Sequence, residues 1–166
     1  MKNGTCAECG KQLHKVTGNY RFEEAGNPVL LENVQLAECK DCGTRKPIIP
    51  KLDRLMHTIA FAVATQPFKL SGRDVWFLRQ YSGVNGTEFA RLIQVEPETL
   101  SRWENEKQEM GKNTERLTRF IAVTKSKDLR DRMLEFLEKY RQLTDAESRP
   151  RKKLKIDLAT MKPEYV

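Results

Sequence analysis

The chain has 166 residues, 39 % of them apolar, and a formal net charge of +7, so it accommodates one or two small domains. It contains no run of about 18 apolar residues and no apolar signal-peptide core near its N-terminus, which excludes a membrane-spanning helix and predicts a cytoplasmic protein. A basic balance of this kind is compatible with a polyanionic partner such as nucleic acid.

Residues 1–50 are predicted to form a small β-rich domain built around a metal ion. The motif C-x-x-C-G stands at residues 6–10 and again at 39–43. Two residues between cysteines allow a tight turn to direct both sulfurs at one ion, and the glycine permits the positive φ that closes such a turn. Four thiolates form a closed tetrahedral shell, which is typical of structural zinc. We therefore predict one structural Zn²⁺ per chain with four ligands: Cys6, Cys9, Cys39 and Cys42.

Other interpretations of the cysteines remain open from the sequence. Four thiolates can also hold iron or an iron–sulfur cluster, a C-x-x-C pair can be a redox centre, and disulfides form in secreted domains. His14 follows Cys9 closely and is an alternative ligand, whereas His57 is expected to be a packing or surface residue.

The remaining segments place the chain in the α+β class. In the first domain, residues 29–36 nearly alternate between apolar and polar side chains, which predicts short strands. Apolar residues recur at three- and four-residue intervals between Pro50 and Pro67, so residues 51–68 are predicted to be a helix that connects two domains. Residues 69–143 are predicted to be all-helical, and residues 144–166 to be a flexible basic tail because they lack sustained periodicity.

Five helix starts are predicted within residues 69–143. Ser71 with Asp74 three residues later resembles a capping box, and Asn85 with Glu88 repeats the spacing. A proline in the first turn is tolerated and opens the third helix. The five starts lie at Ser71, Asn85, Pro97, Asn113 and Asp128.

The second and third of these helices have the layout of a helix-turn-helix. Ala90 is small where two helices must approach closely, and Val95 is apolar within the turn between them. Leu100 and Trp103 are predicted to anchor the second helix, which leaves its other face free to enter the major groove of DNA. An arginine on that face can bind guanine O6 and N7. The outward-facing residues of this helix, predicted to bind DNA, are Glu98, Thr99, Ser101 and Arg102.

Phosphate contacts are assigned to basic residues around this unit and in the tail: Arg73, Arg79, Arg91, Lys107 and Lys112. They are needed because residues 71–110 carry 5 basic and 7 acidic side chains, a net charge of −2. Two plainer interpretations remain open. The two helices can form an ordinary helical hairpin, and Glu98 and Arg102 can form an intrahelical salt bridge on a solvated surface.

The order of these motifs resembles that of a bacterial family. The two C-x-x-C-G motifs are followed by an apolar helix, by the run Leu70-Ser-Gly-Arg-Asp-Val-Trp-Phe-Leu-Arg79, and by Thr99-Leu-Ser-Arg-Trp-Glu-Asn105. Together they resemble the CxxCG/CxxCG zinc-finger and helix-turn-helix proteins, the YgiT-type relatives of the MqsA antitoxin. In that family the helical domain is of the Xre (phage-repressor-like) type. The resemblance covers residues 5–123.

The resemblance implies a homodimeric transcriptional repressor that binds a palindromic operator in double-stranded DNA. Antitoxin members of the family autoregulate their operon and neutralise a ribonuclease toxin through the N-terminal domain, so a cognate toxin is an implied partner. Base contacts are implied at Glu98 and Arg102, where Glu98 replaces the usual Asn and favours a cytosine amino group. Three further residues depart from the family pattern. Gly86 replaces a phosphate-contacting Gln, and Gln94 and Glu106 replace glycines.

No catalytic arrangement is found in the sequence, so an enzyme is not predicted. There is no Ser-His-Asp set, no Gly-rich phosphate loop and no open metal site. An alternative function is a zinc-dependent protein–protein interaction module without sequence-specific DNA binding. A late apolar stripe supplies a candidate dimer interface: Leu129, Met133, Phe136, Leu137 and Tyr140.

Overall fold

The computed structural model describes residues 4–143 and 150–166. These residues form an α+β fold, as predicted, with a small sheet at the N-terminal end and a helical region after it. The strands are β1 (Leu13–Phe22), β2 (Val29–Cys39), β3 (Arg45–Ile48), β4 (Leu154–Asp157) and β5 (Lys162–Tyr165). The helices are α1 (Leu52–Thr65), α2 (Gly72–Tyr81), α3 (Gly86–Leu92), α4 (Pro97–Glu104), α5 (Lys112–Lys125), α6 (Lys127–Arg130) and α7 (Met133–Arg141).

The sheet is built around β2, the longest strand. β1 pairs with it antiparallel along its whole length. On its other side β2 pairs antiparallel with β3 through residues 35–38 and parallel with β4 through residues 30–32. The strand residues predicted from alternation at 29–36 are confirmed, because four apolar side chains of β2 are buried there: Val29, Leu31, Val34 and Leu36.

The C-terminal segment differs from the predicted flexible tail. β4 and β5 form an antiparallel hairpin that extends the sheet, and Leu154 and Ile156 are buried in the common core. Arg151 adds a polar attachment, because its Nη2 lies 3.0 Å from Oδ2 of the buried Asp74 in α2. The prediction for residues 144–149 lies outside the described residues.

The helix starts follow their predicted caps, with two exceptions. Ser71 and Asp74 form a reciprocal capping box, Asn85 accepts from the backbone N–H of Glu88, and Pro97 occupies the first turn of α4. α5 instead begins at Lys112 after a Gly111 N-cap. The prediction that Asn113 precedes this helix is therefore two residues too late. The single helix predicted after Asp128 is divided into α6 and α7.

α1 was predicted to be a connector, but it lies at the centre of the helical region. It packs against α2, α5, α6, α7 and β5, and every residue from Thr58 to Ala64 is buried. One hydrophobic cluster runs from Phe22 in the sheet to Trp103 in α4. Within the described residues, no helix has both the length and the apolar character needed to cross a bilayer.

Candidate metal centre and nucleic-acid interface

The two C-x-x-C-G motifs form two turns of the same shape. In the first, the N–H of Gly10 donates to the Cys6 carbonyl (2.8 Å); in the second, Gly43 donates to the Cys39 carbonyl (2.9 Å). Both glycines have a positive φ, +72° and +74°, which L side chains rarely adopt. The predicted role of each glycine is therefore confirmed. The β1–β2 pairing brings the turns together, because Leu13, just after the first turn, lies opposite Cys39.

The four sulfurs have the spacing of a tetrahedral metal site. All four lie within 4.8 Å of one another; Cys6 and Cys42 are 3.5 Å apart, and Cys9 and Cys39 are 3.4 Å apart. Four sulfurs about 2.3 Å from one ion would be about 3.8 Å apart. A disulfide requires about 2.05 Å, so these cysteines are free thiols. The cluster can hold one metal ion, and His14 is not part of it.

The thiols of this cluster differ in acidity. Hydrogen bonds from the Thr44 hydroxyl and backbone N–H lower the pKa of the Cys42 thiol to about 6. The backbone N–H of Lys11 has the same effect on Cys9, but the hydrogen bond with Cys39 and the neighbouring thiols raise the pKa of Cys9 to about 12. A divalent ion that binds the cluster must displace the protons of the thiols, so its binding depends on pH.

A second candidate site is formed by α3, α4 and the turn between them. The turn closes through Gln94, whose φ is +56°, and Val95 donates to the Ala90 carbonyl (2.9 Å). This is the left-handed helix ending that usually carries glycine. After α4, Glu106 adopts the same φ of +56°. Both positions at which the resemblance implies a glycine therefore have a backbone conformation that glycine favours.

The outer face of α4 carries the predicted DNA-binding residues of this helix. Glu98, Ser101 and Arg102 are exposed and Thr99 is half-buried, while Leu100 and Trp103 anchor the opposite face at 2 % and 7 % exposure. The described residues contain no salt bridge between Glu98 and Arg102.

Beside this face, an open groove of about 730 Å³ separates α3 from α4. Arg91 of α3 and Ser101 of α4 both line it. Lys107 and Lys112 are exposed, the first beyond the end of α4 and the second at the start of α5. The structure thus brings Arg91 and Ser101 to one groove, whereas the other predicted DNA-binding residues do not line it: Glu98, Thr99, Arg102, Lys107 and Lys112.

Arg79 does not belong to this surface, so its assignment to phosphate contact is wrong. Its guanidinium is 8 % exposed and forms two hydrogen bonds with Glu104, at 2.6 and 3.0 Å, and one with the Val84 carbonyl. The pair joins α2 to the end of α4. Because the pair removes one charge of each sign, the net charge of −2 over residues 71–110 is unchanged.

A second buried arginine, which no sequence pattern indicates, organises the helical region. Arg119 of α5 is 1 % exposed and donates to the carbonyls of Ala64, Gln66 and Phe68 at 3.0 Å or less. These carbonyls belong to the end of α1 and the loop after it, where a helix leaves acceptors without partners. Glu115 completes the arrangement with a 2.7 Å ion pair to Arg119.

Comparison with protein-family models, curated proteins and solved structures finds no match for this chain. The family resemblance and the Xre-type assignment of the helical region therefore stay predictions. The functional interpretation rests on the geometry of the cysteine cluster and of α4.

Proposed function

We propose that this chain is a zinc-stabilised, DNA-binding transcriptional regulator rather than an enzyme. The observation that carries the proposal is the environment of Arg102. Its side chain is exposed on α4, has no ion-pair partner among the described residues, and projects from a helix anchored by Leu100 and Trp103. An unpaired guanidinium on a rigid helix is suited to bidentate contact with guanine in the major groove.

The cysteine cluster supports a structural rather than a catalytic role for zinc. Four sulfur ligands leave no position for water or substrate. Cys6 and Cys39 are almost fully buried, at 3 % and 0 % exposure, so the ion would be held at the end of the β1–β2 pair. When bound, zinc would supply a cross-link between two turns about 30 residues apart, which would stabilise this end of the sheet.

Phosphate binding is assigned to the cations around the α3–α4 groove. Arg91 lines the groove, and Lys107 and Lys112 are exposed on either side of the loop after α4. These contacts would fix the position of α4 on the duplex without reading sequence.

A homodimer fits this function, since helix-turn-helix proteins commonly meet two half-sites about 34–36 Å apart on a palindromic operator. Part of the apolar stripe predicted as an interface is buried inside the protein, because Leu129 and Phe136 are core residues at 0 % exposure. The exposed apolar side chains next to it are the candidate contact surface: Leu117, Phe120 and Leu134.

The test is binding of the full chain to labelled DNA from directly upstream of its own gene. Anisotropy would be measured against a scrambled fragment between about 50 and 200 mM salt. We expect saturable binding that prefers the upstream fragment at every salt concentration. Equal affinity for the two fragments, or no binding at about 200 mM salt, would contradict the proposal.

A zinc-dependent protein–protein interaction module without sequence-specific DNA binding is the second candidate. The observation that favours it is the long edge of β1, which among the described strands pairs only with β2. An unpaired strand edge can accept a strand from a partner, such as a cognate toxin. Co-purification of a stoichiometric protein partner, together with absence of DNA preference, would favour this function over transcriptional regulation.

A further inference from the structure

A cavity of about 530 Å³ lies away from both the cysteine cluster and the α4 face. Three parts of the chain meet around it: the turn between β1 and β2, the junction of α1 and α2, and the C-terminal hairpin. Its volume falls within the range of about 300–1,000 Å³ that is usual for small-molecule sites. Neither the metal centre nor the proposed DNA contacts account for it.

Much of the cavity wall is apolar. Val29 and Leu154 contribute buried side chains from neighbouring strands, and Val63 contributes one from α1. Leu30 also lines the cavity and remains 37 % exposed, so part of this apolar wall is uncovered. A ligand with an apolar body would remove that surface from water, which is favourable.

The rim of the cavity is strongly basic. The lining side chains include four cations and one carboxylate, a net charge of 4 − 1 = +3, from Arg21, Arg151, Lys152, Lys153 and Asp74. Arg151 pairs with Asp74, and Arg21 pairs with Glu23 outside the lining. Within the described residues, neither Lys152 nor Lys153 has a carboxylate at ion-pair distance, so both charges are available to a ligand.

The single carboxylate of the cavity is already satisfied. Asp74 is 1 % exposed and accepts from Asn27, from Gln66 and from the backbone N–H of Ser71, in addition to Arg151. A carboxylate with this many donors has its charge compensated, so it does not oppose an anion at the rim. It also fixes one wall of the cavity, since its donors come from three parts of the chain: the β1–β2 turn, the α1–α2 junction and the C-terminal segment.

We propose that this cavity binds a small amphipathic anion, in which an apolar ring system carries a carboxylate, sulfonate or phosphate group. The apolar body occupies the space against Leu30, Val29 and Leu154, and the anionic group lies between Lys152 and Lys153. The proposal is independent of DNA binding. Because the walls come from the sheet, the helices and the C-terminal hairpin, an occupant links these parts and raises the melting temperature of the chain.

The experiment uses 8-anilinonaphthalene-1-sulfonate as the anionic probe and N-phenyl-1-naphthylamine as its uncharged analogue. Fluorescence titration of the folded full chain gives the affinity of each probe, and calorimetry gives the stoichiometry of the sulfonate. We expect one sulfonate per chain and an affinity for the uncharged analogue that is weaker by about tenfold or more, because charge complementarity at the rim is lost.

Two pairs of variants localise the site. Lys152→Glu/Lys153→Glu should weaken sulfonate binding about tenfold or more, whereas Lys125→Glu/Lys127→Glu, with the same change in net charge on exposed residues elsewhere, should not. Leu30→Trp should weaken both probes by filling the cavity, whereas Leu52→Trp, at an exposed leucine of α1, should not. Equal affinities for the two probes, or equal effects of a variant and its control, would overturn the proposal.

Discussion

Arg119→Met tests the inference that a buried arginine holds the end of α1 in place. The substitution preserves the apolar stem but removes the donors to the carbonyls of Ala64, Gln66 and Phe68. It also leaves Glu115, 6 % exposed, with the Leu70 N–H as its main remaining donor. Removing one partner of a buried ion pair costs about 3–5 kcal/mol, and the orphaned carbonyls favour the upper part of that range.

For a chain of this length, each kcal/mol lowers the melting temperature by about 2–4 °C. We therefore expect Arg119→Met to lower it by about 8–20 °C in calorimetry, with a matching decrease in the urea midpoint. Arg116→Met is the matched control, because Arg116 lies on the same helix as Arg119. Its guanidinium lies 4.6 Å from the centre of the Tyr140 ring, and its loss should cost about 1 kcal/mol or less.

A double-mutant cycle separates the ion pair from the carbonyl contacts. Glu115→Gln in the Arg119→Met background removes the uncompensated charge, so the double variant should be more stable than the sum of the single effects predicts, by about 0.5–3 kcal/mol. Equal melting temperatures for Arg119→Met and Arg116→Met, or strictly additive effects in the cycle, would refute the reasoning.

Three further variants test other parts of the structure. Cys39→Ser should reduce bound zinc from one equivalent to less than half by metal analysis and lower the melting temperature of the whole chain, because sheet and helices share one core. Gly72→Ala should destabilise by about 2 kcal/mol, since its Cβ would lie 2.3 Å from the Trp103 carbonyl oxygen, whereas Gly86→Ala meets nothing within 4 Å and should be neutral or stabilising in thermal unfolding. Gln94→Gly should stabilise by about 0.5–1 kcal/mol in urea unfolding, because a positive φ costs more for glutamine than for glycine; an unchanged midpoint would contradict this.

The features predicted correctly from the sequence depend on residues that are close together in the chain. The capping box of Ser71 and Asp74 spans four residues, and each C-x-x-C-G turn spans five. Pro97 acts through its own ring and needs no partner. Such signals are readable because the physical cause lies within one turn of the backbone, whatever the rest of the fold does.

The features missed depend on partners far away in sequence. The strand β4 is one such feature, since it pairs with β2 through residues such as Leu30 and Lys155. Only two buried residues alternate in β4, which is too few to predict a strand next to a run of basic residues. The sequence predicts a phosphate contact for Arg79 because it does not show that Glu104, 25 residues later, is its partner. Arg119 likewise acts on carbonyls more than 50 residues earlier. A buried arginine and a solvated one look alike in sequence, since only the fold supplies the acceptor.

The central claim, that α4 reads DNA sequence through Arg102, is tested most directly by Arg102→Ala. Binding to the upstream fragment and to scrambled DNA would be measured across a salt series beside Lys107→Ala. Arg102→Ala should lose about 1–3 kcal/mol on the upstream fragment alone. Lys107→Ala should weaken both DNAs alike and lower the salt slope by about one. If Arg102→Ala discriminates between the two DNAs as well as the unmodified protein does, the account is contradicted.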